Sequence, residues 1–273
     1  MQLYALGLVK DEADVLEATI RHALGFCDRI IYLDNGSTDG SWEIIQALAE
    51  ETAGRVVAHE RTTEPFQEGM RNRLYNAYSD EVGPDGWWFN LDADEFLEVD
   101  PHAAIEAAVE RGADGIRTWQ VQFAFTDVDQ RAWEAGEDDP SRPIQDRRRH
   151  YRIDWRETRL WRNHPGRPWS DPTRPFPTEI RSFDRHSPFN RHYQYRDPEQ
   201  IQRRLDNRRG DPSFAHAQAP DWRAVVEPAA RLTEHVDGTP WRIDWPAFAR
   251  NQAQSRWRRL RAKVGRSAEP LGR

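Results

Sequence analysis

The sequence predicts an α/β fold built on a mostly parallel, doubly wound sheet, with a less regular Arg- and Trp-rich C-terminal part. Two observations carry that prediction. Strand-like and helix-like segments alternate regularly over the first 123 residues, the pattern of a sheet whose parallel strands are joined by crossover helices. The strand-like segments are short, nearly continuous apolar runs, as expected of strands covered on both faces.

Taken in order, "LYALGLV" (3–9) reads as the first strand. "DEADVLEATIRHAL" then places Val15, Leu16, Ile20 and Leu24 at helical spacing, with Asp11 as the expected N-cap. "RIIYL" and "GSWEIIQALAEE" repeat the pair, and "RVVAHE" with "EGMRNRLYNAYSDE" repeats it again. "GWWFNL" is the fourth strand, "PHAAIEAAVERG" a helix with Pro101 near its start, and "GIRTWQVQFAF" a fifth strand. From Thr126 to Arg149 periodicity is lost, which predicts a long charged loop of functional character. "ETRLWRN" and "TEIRSF" read as short strands around a Pro-rich loop. "RDPEQIQRRLDNRR" is a well-signalled helix, with Asp197 as N-cap, Pro198 in its first turn and Gln200 closing a capping box. The expected organisation is an α/β core over 1–123, an acceptor-side loop, short strands and closing helix over 124–219, and an appendage over 220–273.

Composition narrows the function. The chain has 273 residues and a net charge of -7, spread unevenly: -15 over 1–120 and +8 over 121–273. Lys10 and Lys263 are its only lysines, so the basic half is an arginine half, suited to bidentate phosphate contacts. Cys27 is the only cysteine, which excludes an internal disulfide and a thiolate zinc site. No apolar run reaches the ~18 residues of a membrane span and no secretory leader is visible, so a cytoplasmic setting is expected. The basic "SRWRRLRAKVGR" near the C-terminus suits peripheral contact with an anionic membrane face, through Trp257 and Leu260.

In an open parallel sheet, ligands bind beyond the carboxyl ends of the strands. Two acidic turns fall there, "LDNGSTDGS" with Asp34 and Asp39, and "LDADEFL" with Asp92 and Asp94. If the backbone stays extended, alternation sets Asp92 and Asp94 on one face and Glu95 on the other. Two carboxylates facing one crevice suit a hard divalent cation, Mn²⁺ or Mg²⁺, which shares its shell with substrate phosphates. A nicotinamide dehydrogenase is excluded, because the first turn, "GLVKDEAD", has no glycine cradle. A P-loop enzyme is excluded by the absence of its motif, and nucleic acid by the acidic half and the lack of a recognised module.

"LVKDEADVLEATIRHAL", "IIYLDNGSTDGS", "GMRN" and "WWFNLDADEFL", in that order, resemble a glycosyltransferase of the GT-A fold, similar to family 2. "LDADEFL" and "HYQYRDPEQIQRRL" lean toward a bacterial branch of that family. The resemblance covers about residues 1–123 closely and 190–209 loosely. It implies transfer of a sugar from a nucleotide diphosphate donor to a glycan or lipid-linked acceptor, in glycan biosynthesis. Position by position, it implies that Asp34 contacts the base or ribose, with Asp39 next in line, and that Lys10 lines the same pocket. Arg71 is expected near the nucleotide or diphosphate, Asp92 near the ribose or a metal-bound water, and Asp94 on the metal. Inverting members need a carboxylate base; Asp127 is preferred over Asp129, Glu134, Glu137, Asp138 and Asp139 because it directly follows a strand. A further metal ligand is expected from a histidine, with His192 ahead of His186 and His164. The alternative from another class is a non-catalytic nucleotide- or sugar-binding protein on the same fold.

Overall fold

The computed structural model describes residues 1–210 and 218–254. Its sheet has the order β10 (Thr233–Glu234), β7 (His150–Arg152), β6 (Gly115–Phe123), β8 (Arg156–Arg162), β4 (Trp87–Asp92), β1 (Leu3–Val9), β2 (Arg29–Asp34), β3 (Val56–Arg61). The parallel core comprises β1 (Leu3–Val9), β2 (Arg29–Asp34), β3 (Val56–Arg61) and β4 (Trp87–Asp92). Beyond β4 the sheet turns mixed: β8 (Arg156–Arg162) runs antiparallel between β4 and β6 (Gly115–Phe123), and β7 (His150–Arg152) and β10 (Thr233–Glu234) complete that edge. The α/β reading and the parallel core are therefore as expected.

The sheet is wound on both faces. Leu3 and Ala5 point to a layer formed by α1 (Ala13–Ala23), α2 (Ser41–Glu51) and α4 (His102–Glu110), while Tyr4, Leu6 and Leu8 point to α3 (Asn72–Val82). This is the period-two alternation of a strand with two apolar faces. Trp87 and Phe89 join the first layer and Trp88 the second, all fully buried.

Several elements differ from the sequence reading. The 126–149 stretch is not all loop: it holds α5 (Asp127–Glu134) and the short α6 (Ile144–Arg147). A capping box, in which Thr126 accepts from the Asp129 amide and Asp129 from that of Thr126, starts α5. "TEIRSF" is not a strand; only Phe183 makes a bridge, to Gly115. Four short strands lie outside the sequence reading: the edge strands β7 and β10, and β5 (Glu95–Leu97) and β9 (Phe189–His192). β9 pairs antiparallel with β5 and parallel with β6, which sets His192 opposite both Glu95 and Gln122.

The helix α7 (Pro198–Arg208) forms with Asp197 as N-cap, accepting from the Gln200 amide at 2.8 Å. The Gln200 side chain closes no capping box: it accepts from the Arg196 amide, one residue before the cap, at 3.1 Å. Ile201 and Leu205 pack it against Phe125 and Trp222. Its other side lies toward the carboxyl ends of β1 and β4. Residues 245–254 are helical, and the basic Ser255–Arg266 segment lies outside the described residues. Among the described residues no helix is long and apolar enough to cross a membrane.

Candidate functional site

The turn after β2 is held by its own side chains. Asp34 is fully buried, and its Oδ1 accepts from the Gly36 and Ser37 amides at 3.0 and 2.9 Å, with Arg61 Nε at 3.3 Å. Its Oδ2 is buried with no hydrogen-bond partner. The Gly36 φ of 78° is a left-handed conformation that glycine adopts without strain. Lys10 reaches across from the end of β1, donating to the Asn35 carbonyl at 2.9 Å. Lys10 and Asp34 thus meet at one turn.

Asp11 does not cap α1, contrary to the sequence reading. It sits at φ 53°, and α1 is capped from the β2 turn instead: Ser37 Oγ accepts from the Asp11 amide, Ser41 Oγ from Glu12 and Asp39 Oδ2 from Ala13. Asp39 Oδ1 also accepts from the Ser41 amide at 3.1 Å and its hydroxyl at 2.6 Å. Both Asp39 oxygens are committed to the scaffold, which makes it a structural residue of the turn. Asp11 accepts from the Thr38 amide at 2.7 Å and from Asn207 of α7 at 2.7 Å, tying that helix to the turn.

The two aspartates of "LDADEFL" diverge. β4 ends at Asp92, Ala93 and Asp94 form a turn, and the expected shared face is lost. Asp92 pairs with Arg71 through Oδ1 and with Arg159 through Oδ2 at 2.8 Å. Burial alone would raise its pKa, but Arg159 and Arg71 outweigh burial and hold it below the usual carboxylate range. Arg71 is itself positioned by the Leu6 carbonyl at 3.1 Å. Gly69 of "GMRN" lets the loop at Pro172 and Arg174 pack closely, since a Cβ there would come within 2.6 Å of the Pro172 carbonyl oxygen.

Asp94 turns toward α7. Its Oδ2 lies 3.4 Å from His192 Nε2, 3.2 Å from Arg204 Nη1 and 3.9 Å from Arg196 Nη1, yet it accepts a hydrogen bond from none of them. Burial acts to raise this carboxyl's pKa, and His192 and Arg204 together hold it well below the ordinary value. On His192 burial acts the other way, and Asp94 with Glu95 outweighs it to raise the imidazole. Gln122 contacts His192 Nδ1 at 2.7 Å. Gln122 Nε2 donates in that contact, so Nδ1 accepts and the ring proton sits on Nε2, facing Asp94.

Several of the residues that organise the site gave no signal in sequence. Arg159 bridges Asp92 and the fully buried Glu95, whose other oxygen accepts from Asn190 at 2.5 Å. Arg196 is enclosed by Glu12, Asp14 and the Tyr193 carbonyl, and Arg204 joins Glu12 to Asp94. The acids sit at the strand ends and the arginines arrive from β8 and α7, so only the fold pairs them.

Glu95 makes a testable pH device. Burial pushes its carboxyl up from 4.5 to about 7, with Arg159 offsetting only part of the shift. Between those values the folded protein holds a proton that the unfolded chain releases. Stability therefore falls as pH rises through the window, by an amount on the order of 3 kcal/mol. Glu95→Gln is expected to remove that dependence, so its stability relative to wild type grows from pH 5 to 8 in urea titrations. A difference that stays constant with pH would contradict the assignment.

The expected base residues lie elsewhere. Asp127 caps the Ala229 amide at 2.8 Å and pairs with Arg131 at 2.9 Å, so both of its oxygens are engaged away from the acidic cluster. Asp129 closes the α5 capping box, and Asp138 pairs with Arg147 at 2.8 Å and Arg148 at 2.6 Å. Glu134 accepts from Gln130 and Asp139 from the Ser141 amide. His164 lies beside Tyr75 and His186 near Asp184, neither of them on Asp94. At the cluster itself, Glu157 of β8 stands 3.2 Å from Arg159, with its side chain 40% exposed.

Whether these residues fit a divalent cation turns on Asp94 and His192. Among the described residues no three His, Cys, Asp or Glu side chains are grouped to hold an ion. Asp94 Oδ2, buried and without a hydrogen bond, supplies one ligand, and His192 Nε2 beside it supplies a second once its proton gives way to the ion. That is a third of a six-ligand shell, which suits an ion completed by substrate phosphates and water. Asp92, with both oxygens on guanidinium groups, is not arranged as a ligand.

A parallel core with acidic turns at the carboxyl ends of β2 and β4 is the place where open α/β sheets bind their ligands. Residues 8–168 match the model of glycosyl transferase family 2, and the chain belongs to that family. The structure is similar to a mannosyltransferase, PcManGT, from Pyrobaculum calidifontis, solved with GDP-Man and Mn²⁺. The two share 14% identity over 44% of this chain and 35% of that one, with a TM-score of 0.34. It is also similar to a Bacillus anthracis protein described as a glucose-1-phosphate thymidylyltransferase, solved with sucrose. There the identity is 9% over 77% of this chain and 95% of that one, with a TM-score of 0.39. Comparison with curated proteins finds no match.

Proposed function

We propose that this protein transfers a sugar from a nucleotide diphosphate donor to a glycan or lipid-linked acceptor, with the help of Mn²⁺ or Mg²⁺. The observation that carries the reading is Asp94 Oδ2, a buried carboxylate oxygen with no hydrogen bond, placed beside His192 at the carboxyl end of the sheet. A bound divalent cation supplies positive charge where the departing nucleoside diphosphate gains negative charge.

The chain's own residues do the rest. Asp34 presents its second oxygen, Oδ2, to the base or ribose, and Lys10 fixes the turn that holds it. Arg71 and Arg159 hold Asp92 rigid, so that its exposed edge meets the ribose side of the donor without a rotamer search. The general base moves from Asp127 to Glu157, the partly exposed carboxylate that an acceptor hydroxyl can reach beside this cluster. Base-assisted attack of this kind inverts configuration.

A thermal-shift panel tests the reading: UDP, GDP and their sugar conjugates, each with Mn²⁺ and with EDTA. At least one nucleotide should raise the melting temperature, and more so with metal, because a ligand of the folded state alone stabilises it. In the responding complex, Asp34→Ala should weaken binding by about 1–3 kcal/mol by calorimetry. A panel with no response, in metal or in chelator, would end the proposal.

A further inference from the structure

Asp94 is not equally held by its three cationic neighbours. Arg196 is fixed, its side chain 1% exposed and its guanidinium tied to Glu12, Asp14 and the Tyr193 carbonyl. Arg204 is held more loosely: its side chain is 13% exposed, Nη1 lies 2.5 Å from Glu12 and 3.2 Å from Asp94, and Nε is buried with no acceptor. The Nη1 of Arg204 lies against the Asp94 oxygen that a divalent cation would need. Two positive charges cannot share that oxygen cheaply, so the arginine and the ion compete.

Resting on the proposed donor site, we infer that Arg204 is a resident counter-cation of Asp94, which yields that oxygen to the metal and turns to the donor diphosphate. A guanidinium with an unused N–H, mounted on a helix over the strand ends, is matched to a phosphate oxygen in fork geometry. Arg208, one turn further along α7, adds to the positive field; burial and the nearby Arg204 lower its pKa to about 10. A diphosphate would relieve that crowding. The geometry makes Arg204 a positioning residue with opposite effects on the two states: it opposes the metal alone and favours the metal with nucleotide.

The test is a titration of Mn²⁺, with the free ion read by electron paramagnetic resonance, on wild type, Arg204→Ala and Arg204→Lys. Each protein is measured alone and with UDP or GDP. Without nucleotide, Arg204→Ala should bind Mn²⁺ about tenfold more tightly than wild type; with nucleotide it should bind about tenfold more weakly, within the usual span of coupling between ligands. Arg204→Lys, which keeps the charge and loses the fork, should resemble wild type alone and fall between the two with nucleotide. It also keeps the test available should the alanine variant fold poorly. Equal Mn²⁺ affinity of all three proteins in both states would overturn the role of Arg204 and leave the donor-site reading standing. Wild type that binds no Mn²⁺ with either nucleotide would overturn both.

Discussion

Replacing Arg196 by Met is expected to destabilise the fold by about 3–5 kcal/mol, the cost of stranding a buried charge by removing its partner. The guanidinium is 1% exposed and answers carboxylates from two positions of the first turn, Glu12 and Asp14. Arg148, equally buried, donates to the Arg196 carbonyl, so the residue is pinned by main chain and side chain alike. Burial already raises the Glu12 carboxyl against the pull of Arg196 and Arg204. Without Arg196, burial would raise the Glu12 carboxyl further, and the loss should shrink in acid as both carboxylates are neutralised. Urea denaturation at pH 7 and pH 4 measures this. A loss under about 1 kcal/mol at pH 7, the scale of an exposed pair, would show that the cluster is solvated and α7 is not latched.

The second large effect separates the two aspartates. Asp94→Ala is expected to lower transfer by about 100- to 1000-fold, the range for removing one group that stabilises developing charge. Asp92→Ala should act chiefly on stability, because it leaves Arg71 without its carboxylate, while Arg159 keeps Glu95 and Glu157. Melting curves and turnover measured on both variants resolve the split. Equal turnover with an equal melting point in the two would refute it.

Much of the fold was legible because its strands are apolar and its helices are capped locally. "LYALGLV" can only be a doubly covered strand, and Asp197-Pro198 announces α7 with no help from tertiary structure. The family resemblance, together with its place before that helix, pointed to His192, which lies 3.4 Å from Asp94. Local logic failed where partners are distant. Asp11 looked like an N-cap, but the caps of α1 are Ser37, Asp39 and Ser41, supplied by another turn. β5 and β9 have three and four residues and exist through pairing with each other and with β6, which no window of sequence contains. Asp92 and Asp94 were placed on one face by alternation, which the turn at Ala93 cancels. The arginines were visible only as a charge surplus in the second half. Arg159 and Arg204 acquire roles because antiparallel β8 and the returning α7 carry them to acids far earlier in the chain.

The most direct measurement of the central claim is release of nucleoside diphosphate from a panel of sugar nucleotides, followed by chromatography with Mn²⁺ and with EDTA, for wild type and Asp94→Ala. Water serves as the acceptor, so the natural one need not be known. The account predicts slow, Mn²⁺-dependent release from at least one donor by wild type, stopped by chelator and reduced at least 100-fold in Asp94→Ala. Release that proceeds equally in EDTA, or equally in the variant, would contradict it.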